Sequence, residues 1–567
     1  MPDTPLLPDD ALLTANLTAL QARQPALVER LHWPVEGDAL IHDAGGRWTY
    51  RLHRSEYVAT LTEQETHDAL PRTIGPDFTG TLLVFGLGLG ETLAATLERA
   101  PHANVIAWER DPWVLRQALA VRDWTADLAS GRLRFALNAD LVDVLDGGAG
   151  EQVVWHPLLA RAYTNERWLV TEGLGERRAL VCCGGLFVDA LASALRDEGY
   201  SVLSFDVEKI AAEESELVLE TFQPSLVASI NSIHGLADFC QARELDHLCW
   251  EVDPATDAPA QLAAPAPRAH VFTFREANVA AYRSAGYANV RYLPLAADPA
   301  QRRPLELSAL DRDRYSAEIA FVGSSLTGNV SAFQERFLEQ LDAWTPGSRS
   351  MGRDLIREVV TAQRADVTRF RVPQLLDDRV PGFRAHCRTA GLQDPAMLLG
   401  EVCGAEKRLN LLAELGEHDV AVWGDEGFLQ LESHGVRYEG AAGHGEELTR
   451  IYNAAAIHLD IGRLYQPDIV TMRVFDVLAS GGFVIAERSE ALEELFHLGV
   501  EVESYQDLTE LQTKVEYYLA RPDEARAIAE RGRQAVLDRH TIAQRLHTML
   551  ASVAPAADAE APTAAVA

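Results

Sequence analysis

Two carboxylates, Asp468 and Asp476, stand eight positions apart near the end of a 567-residue chain, in the segment DIVTMRVFDVLASGGFVIAERSEALEELF. Carboxylates accept hydrogen bonds from hydroxyl groups, often two at once. Arg473 lies three residues before Asp476, and Arg463 lies five before Asp468. Guanidinium groups form bidentate contacts with phosphate oxygens. Gly481 and Gly482 let the backbone approach a ligand closely. The set suits a ligand that carries both hydroxyls and phosphate. The plainer readings are solvated acids, arginines that bridge to them, and two glycines that turn the chain.

The elements around these residues follow from periodicity. The pattern predicts a helix over 472–478, a Gly-Gly break, a buried strand over 483–486 and an acidic helix over 490–496. Three strand–Gly-loop–helix starts occur, near residues 81, 179 and 319. In the first, strand 81–85 runs into Gly86, Gly88 and Gly90, then helix 91–100 and strand 104–108, which ends in Glu109. Strand 133–137 follows, with Asp140 in the loop after it. This order fits a nucleotide-binding Rossmann opening. In the second, strands are expected at 179–182, 201–205, 226–230, 248–252, 271–274 and 290–293. Ligands bind at the C-terminal edges of such sheets. His234, in the loop NSIHG, is therefore a candidate for phosphate or an acceptor hydroxyl, and Glu251 and Asp253 are candidates for the acceptor side. A lone loop histidine is more often structural. In the third, strand 319–322 leads to Gly323, Ser324 and Ser325, whose backbone N–H groups can face phosphate or sugar.

Alternating strands and helices predict an α/β fold of three Rossmann-like parallel-sheet domains. The expected divisions are an N-terminal helix and small strand region over 1–60, turning at Gly45-Gly46, a Rossmann-like domain over 61–177, and two further domains over 178–315 and 316–550. The last carries a helical insertion, 332–415. The Ala/Pro-rich tail 551–567 reads as disordered.

With these motifs in place, residues from about 179 to 550 resemble the CgeB-type (spore-maturation-like) glycosyltransferases, a branch of the GT-B architecture. Four segments carry the likeness: VFTFREANVAAYRSAGYANVRYLPLAADP, IAFVGSS, VAVWGDEG through VRYEGAAGHGEELTRIYNAAAIHLDIG, and the opening segment followed by LTELQTKVEYYLARPDEARAIAERGRQAVLDRHT. The resemblance implies that the last two domains form a GT-B pair. It implies transfer of a sugar from a nucleoside diphosphate donor to a hydroxyl of a protein, lipid or small molecule. Asp476 would hold the ribose of the nucleotide and Asp468 would lie near the donor sugar, with no bound metal and no cofactor required. Arg473, Arg463, Gly323, Ser324, Gly481 and Gly482 complete the donor side. The broader pattern has glutamate at both acid positions, and aspartate reaches one methylene less far. Asp476→Ala is expected to abolish donor turnover and leave the fold intact. The N-terminal Rossmann-like domain resembles that of Maf-type flagellin glycosyltransferases, through the stretch YRLHRSEYVATL.

Two rival readings stay open. One is an S-adenosylmethionine-dependent methyltransferase fused to a degenerate glycosyltransferase module, with the cofactor at Gly86, Gly88, Gly90, Glu109 and Asp140. The other is a non-catalytic protein that binds glycans or partners. Composition narrows the field. A net charge of −33 repels nucleic acid. There is no run of eighteen apolar residues, so no membrane insertion is expected. The acidic N-terminus lacks a basic, then apolar, leader, and the six cysteines show no zinc spacing. A cytoplasmic protein with reduced thiols is the expectation.

Overall fold

The computed structural model describes residues 9–553 except 36, 38–39, 43–45, 54–55, 149–151 and 254–258. Gly45 and nearly all of the tail expected to be disordered lie outside the described residues. The chain divides into two units. One is Met1–Phe272 with Tyr282–Val290 and Met549–Ala567; the other is Thr273–Ala281 with Arg291–Thr548.

In the first unit, strands β1 (Ile41–His42), β2 (Trp48–His53) and β3 (Glu56–Ala59) form a small antiparallel meander. Strands β4 (Thr81–Phe85), β5 (Asn104–Glu109), β6 (Leu133–Leu137) and β7 (Val153–Trp155) form a parallel sheet in the order β6-β5-β4-β7. Leu82, Leu83, Val84 and Phe85 are all fully buried. A continuous apolar run is what a strand covered on both faces requires. The next sheet contains β8 (Arg178–Cys182), β9 (Ser201–Phe205), β10 (Leu226–Ile230), β11 (Asp246–Glu251), β12 (Ala269–Thr273) and β13 (Asn289–Tyr292). Its order is β13-β12-β11-β10-β8-β9.

The second unit holds a six-stranded sheet that is parallel throughout: β14 (Ile319–Val322), β15 (Val420–Trp423), β16 (Arg437–Tyr438), β17 (Ile457–Leu459), β18 (Val484–Glu487) and β19 (Glu503–Tyr505). The order β16-β15-β14-β17-β18-β19 is the doubly wound one, numbered outward from β14 in both directions. Its order reverses between β14 and β17. The crevice beyond the C-terminal ends of the strands at such a reversal is where open α/β sheets take ligands.

The helical region expected over 332–415 is made of separate helices. Five helices fill it: Val330–Trp344, Arg349–Arg364, Val372–Arg379, Phe383–Thr389 and Pro395–Ala413. Pro346-Gly347, Pro381-Gly382 and Asp394-Pro395 interrupt it, because proline lacks the amide donor and disfavours a helical residue before it. These helices bury their own core around Phe337, Leu341, Phe383 and Leu398.

Candidate functional site

The order reversal between β14 and β17 is bridged by an arginine. Arg473, on the helix Met472–Ala479, places Nη1 2.5 Å from Asp460 Oδ1, just after β17. Its Nε donates to the carbonyl of Val322, the last residue of β14, at 2.7 Å. A Cβ on Gly323 would lie 2.6 Å from Arg473 Nη2, so this close approach requires glycine. Arg408 joins from the helix Pro395–Ala413 and donates to the carbonyls of Ile461 and Ser324. Burial, then the neighbouring Arg473 and Arg463, push Arg408 down to about 9. Three guanidinium groups thus gather beside two strand ends. Ser324 is engaged elsewhere: its hydroxyl donates to Asp425 Oδ2 at 2.8 Å, and the Ser325 N–H donates to the same oxygen at 2.7 Å.

Beyond the C-terminal ends of β17, β18 and β19 lies a cavity of about 510 Å³, lined by Asp460, Arg463, Gln466, Asp468 and Glu487 among others. Asp468 Oδ1 accepts from Arg275 Nη2 at 2.9 Å. Among the described residues, Asp468 Oδ2, Arg275 Nε, Arg463 Nε and Gln466 Nε2 are buried polar atoms without a hydrogen-bond partner. Arg463 Nε is near an opposite charge, 3.5 Å from Glu401 Oε1, without a hydrogen bond to it. Buried polar atoms are nearly always paired. Three of these, on Asp468, Arg463 and Gln466, line the cavity and mark it as a place where a polar ligand would complete the network.

The two acids of the opening segment part company here. Asp468 faces the cavity, whereas Asp476 is buried and is not among its lining residues. Asp476 Oδ2 accepts from Arg302 Nε at 3.0 Å. Arg302 also donates to Thr449 Oγ1 at 3.0 Å and to the carbonyls of Gly445 and His444 at 3.2 and 2.7 Å. Burial pushes Asp476 up to about 6, with Arg302 pulling the other way. Gly481 and Gly482 end the helix that carries Asp476: their N–H groups donate to the carbonyls of Leu478 and Val477, both at 2.9 Å. They precede β18, at the edge of the sheet opposite the cavity.

The remaining candidates belong to the first unit. His234 is exposed on the loop after β10. Glu251 is buried and accepts from the Tyr282 hydroxyl at 3.3 Å. Asp253 accepts from Asn231 Nδ2 at 2.7 Å, and Asn231 Oδ1 takes the N–H groups of Val252 and Asp253. Gly86, Gly88 and Gly90 all have positive φ, as the turn demands. Glu109, however, is fully buried and engaged by its own chain. It accepts from the N–H groups of Leu87, Arg110 and Asp111 at 2.8, 2.8 and 3.1 Å, and from the Tyr163 hydroxyl at 2.5 Å. Asp140 takes Arg30 Nη1 on both oxygens and the Leu137 N–H as well. Both acids brace the chain where a ribose would need them free. Glu109→Ala is therefore expected to cost about 2–4 kcal/mol, because three backbone donors lose their acceptor. The fall in melting temperature of the full chain measures it, and an unchanged value would refute the bracing role.

Sequence reasoning passed over Arg275, Asp460, Arg408 and Gln466. Arg275 and Asp460 sit in segments that carry the family resemblance, and their strand-end positions were the available signal. Among the described residues, no three His, Cys, Asp or Glu side chains group so as to hold a metal ion, and no helix is long and apolar enough to cross a membrane.

No curated protein sequence matches the chain. Among solved structures it is similar to a glycosyltransferase from Rickettsia africae ESF-5, at 10% identity over 67% of this chain and 98% of that one, with a TM-score of 0.39. It is similar to HepE from Anabaena in complex with UDP and glucose, at 11% identity over 66% and 100%, with a TM-score of 0.37. It is also similar to the MAf glycosyltransferase from Magnetospirillum magneticum AMB-1, at 15% identity over 53% and 66%, with a TM-score of 0.24. Residues 406–551 match the family model described as glycosyl transferase-like, and this stretch includes Asp460, Arg463, Gln466 and Asp468 of the cavity.

Proposed function

We propose that the chain moves a sugar from a nucleoside diphosphate donor to a hydroxyl acceptor, with the donor held in the cavity beyond β17, β18 and β19. The carrying observation is the set of unpaired buried atoms on its lining residues: the Arg463 guanidinium Nε, the Gln466 carboxamide nitrogen and an Asp468 carboxylate oxygen. That mixture of donors and acceptor suits phosphate oxygens together with sugar hydroxyls. In this reading Arg463, Arg473 and Arg408 favour the negative charge that grows on the departing diphosphate. Their positive charge supports a mechanism without a metal ion. Asp468 accepts from the donor sugar, and Asp476, through Arg302, holds the helix that presents Arg473. The four quoted segments support placement with the CgeB-type branch of the GT-B enzymes.

A thermal-shift panel tests this on the full chain, with UDP-, GDP-, dTDP- and CMP-sugars and S-adenosylmethionine. A ligand that binds only the folded state, at 100 times its dissociation constant, stabilises by about 2.7 kcal/mol. One class of sugar nucleotide is expected to raise the melting temperature, and S-adenosylmethionine is not. Stabilisation by S-adenosylmethionine alone would overturn the proposal and return the chemistry to the N-terminal Gly loop.

A further inference from the structure

Gln466 sits in a loop that has little freedom to move. On one side, the Tyr465 hydroxyl meets Glu401 Oε1 at 2.5 Å; on the other, Asp468 is tied to Arg275. The Gln466 N–H itself donates to the Arg463 carbonyl at 3.1 Å, and the Thr471 hydroxyl closes the loop onto Asp460 Oδ1 at 2.6 Å. Pro467 fixes one backbone angle between Gln466 and Asp468 and restricts the residue before it. Within this frame Gln466 is 6% exposed, lines the cavity, and has an Nε2 without a partner among the described residues. A methionine of the same length would fill the position without an unpaired amide. A buried carboxamide nitrogen without a partner among the described residues destabilises the fold and is suited to a partner from outside.

We infer that Gln466 contacts the donor sugar, and that it does so together with Asp468. Gln466 Nε2 would donate to the oxygen of one hydroxyl, while Asp468 Oδ2 accepts from its neighbour. A pair of adjacent hydroxyls offers both partners at once. The inference rests on the donor reading given above and adds a substrate class to it: a sugar with two adjacent free hydroxyls, in place of one deoxygenated or acylated there. Gln466 is thereby a specificity residue for the sugar, distinct from the arginines that face the diphosphate.

The test compares the full-length protein with Gln466→Met, which keeps the length and removes the hydrogen bonds. Melting temperatures are measured without ligand, and affinities by calorimetry for UDP-glucose against UDP and for GDP-mannose against GDP. Gln466→Met is expected to melt no lower than wild type. It is expected to bind the recognised sugar nucleotide about tenfold more weakly, and to bind the bare diphosphate equally well. An unchanged affinity for the sugar nucleotide overturns the inference. So does an equal loss for the bare diphosphate, and so does a lower melting temperature of Gln466→Met without ligand. If wild type binds neither sugar nucleotide, the donor reading fails for these donors, and the inference fails with it. That outcome is visible in wild type alone and is distinct from a failure of Gln466.

Discussion

Arg302→Met is expected to destabilise the protein by about 3–5 kcal/mol near neutral pH, because it leaves the Asp476 carboxylate buried without its cation. Asp476 and Arg302 are 3% and 5% exposed, so water replaces little of the lost interaction. The effect carries a pH signature. Burial holds Asp476 at about 6 in the folded protein, above the ordinary 3.8, even with Arg302 beside it. Without Arg302 the folded value rises further. A carboxyl that binds its proton more tightly when folded loses stability as pH rises from the unfolded value to the folded one, and no further above it. In wild type that loss ends at about pH 6; in Arg302→Met it continues upward. The difference in melting temperature between the two should therefore be smallest at about pH 5, where only the lost bonds to Thr449, Gly445 and His444 contribute, and widen between about pH 6 and pH 8. A gap independent of pH would show that the carboxylate is not what the arginine compensates. The same geometry revises the expectation that Asp476→Ala leaves the fold intact. Removing either partner strands the other, so lost turnover in that variant would accompany lost stability.

Asp468→Asn is expected to do the opposite: to lower sugar transfer by at least about 100-fold and hardly alter the melting temperature. Its side chain is 27% exposed, and its partner Arg275 keeps a hydrogen bond to the Tyr465 carbonyl. The pair is partly buried, and the asparagine oxygen can still accept from Arg275, so little of the interaction that holds the fold is lost. Asparagine retains the shape and loses the charge and one acceptor, at the position proposed to meet the donor sugar. Transfer at the wild-type rate would remove Asp468 from the mechanism. The two variants form a contrast, since one should fail as a folded protein and the other as a catalyst.

The contrast also marks how far the sequence could be read. The three strand–loop–helix starts were legible because each couples a buried apolar run to a glycine turn, as at Leu82–Phe85 before Gly86. The strand orders were not, since the starts at β8 and β14 look alike while their sheets are wound differently. Asp468 and Asp476 are equivalent by type and spacing. What distinguishes them lies 193 and 174 residues upstream, in Arg275 and Arg302. Glu109 had the right distance from its glycine loop for a ribose ligand, but nothing local reveals that Tyr163 and three backbone amides already use it. The breaks in the helical region, by contrast, were written in Pro346-Gly347 and Pro381-Gly382 and were overlooked.

One helix of that region ties it to the rest of the unit. From Pro395–Ala413, Glu401 receives the Tyr465 hydroxyl, Lys407 meets both oxygens of Glu487 at 2.7 Å, and Arg408 holds the Ile461 carbonyl. The five-helix elaboration is consequently no detachable ornament. Trimming it to obtain a smaller protein would strand the Glu487 carboxylate in the cavity wall, and with it the Tyr465 phenol and the Ile461 carbonyl. Any minimal or chimeric version must inherit residues 330–413 along with the sheet they serve.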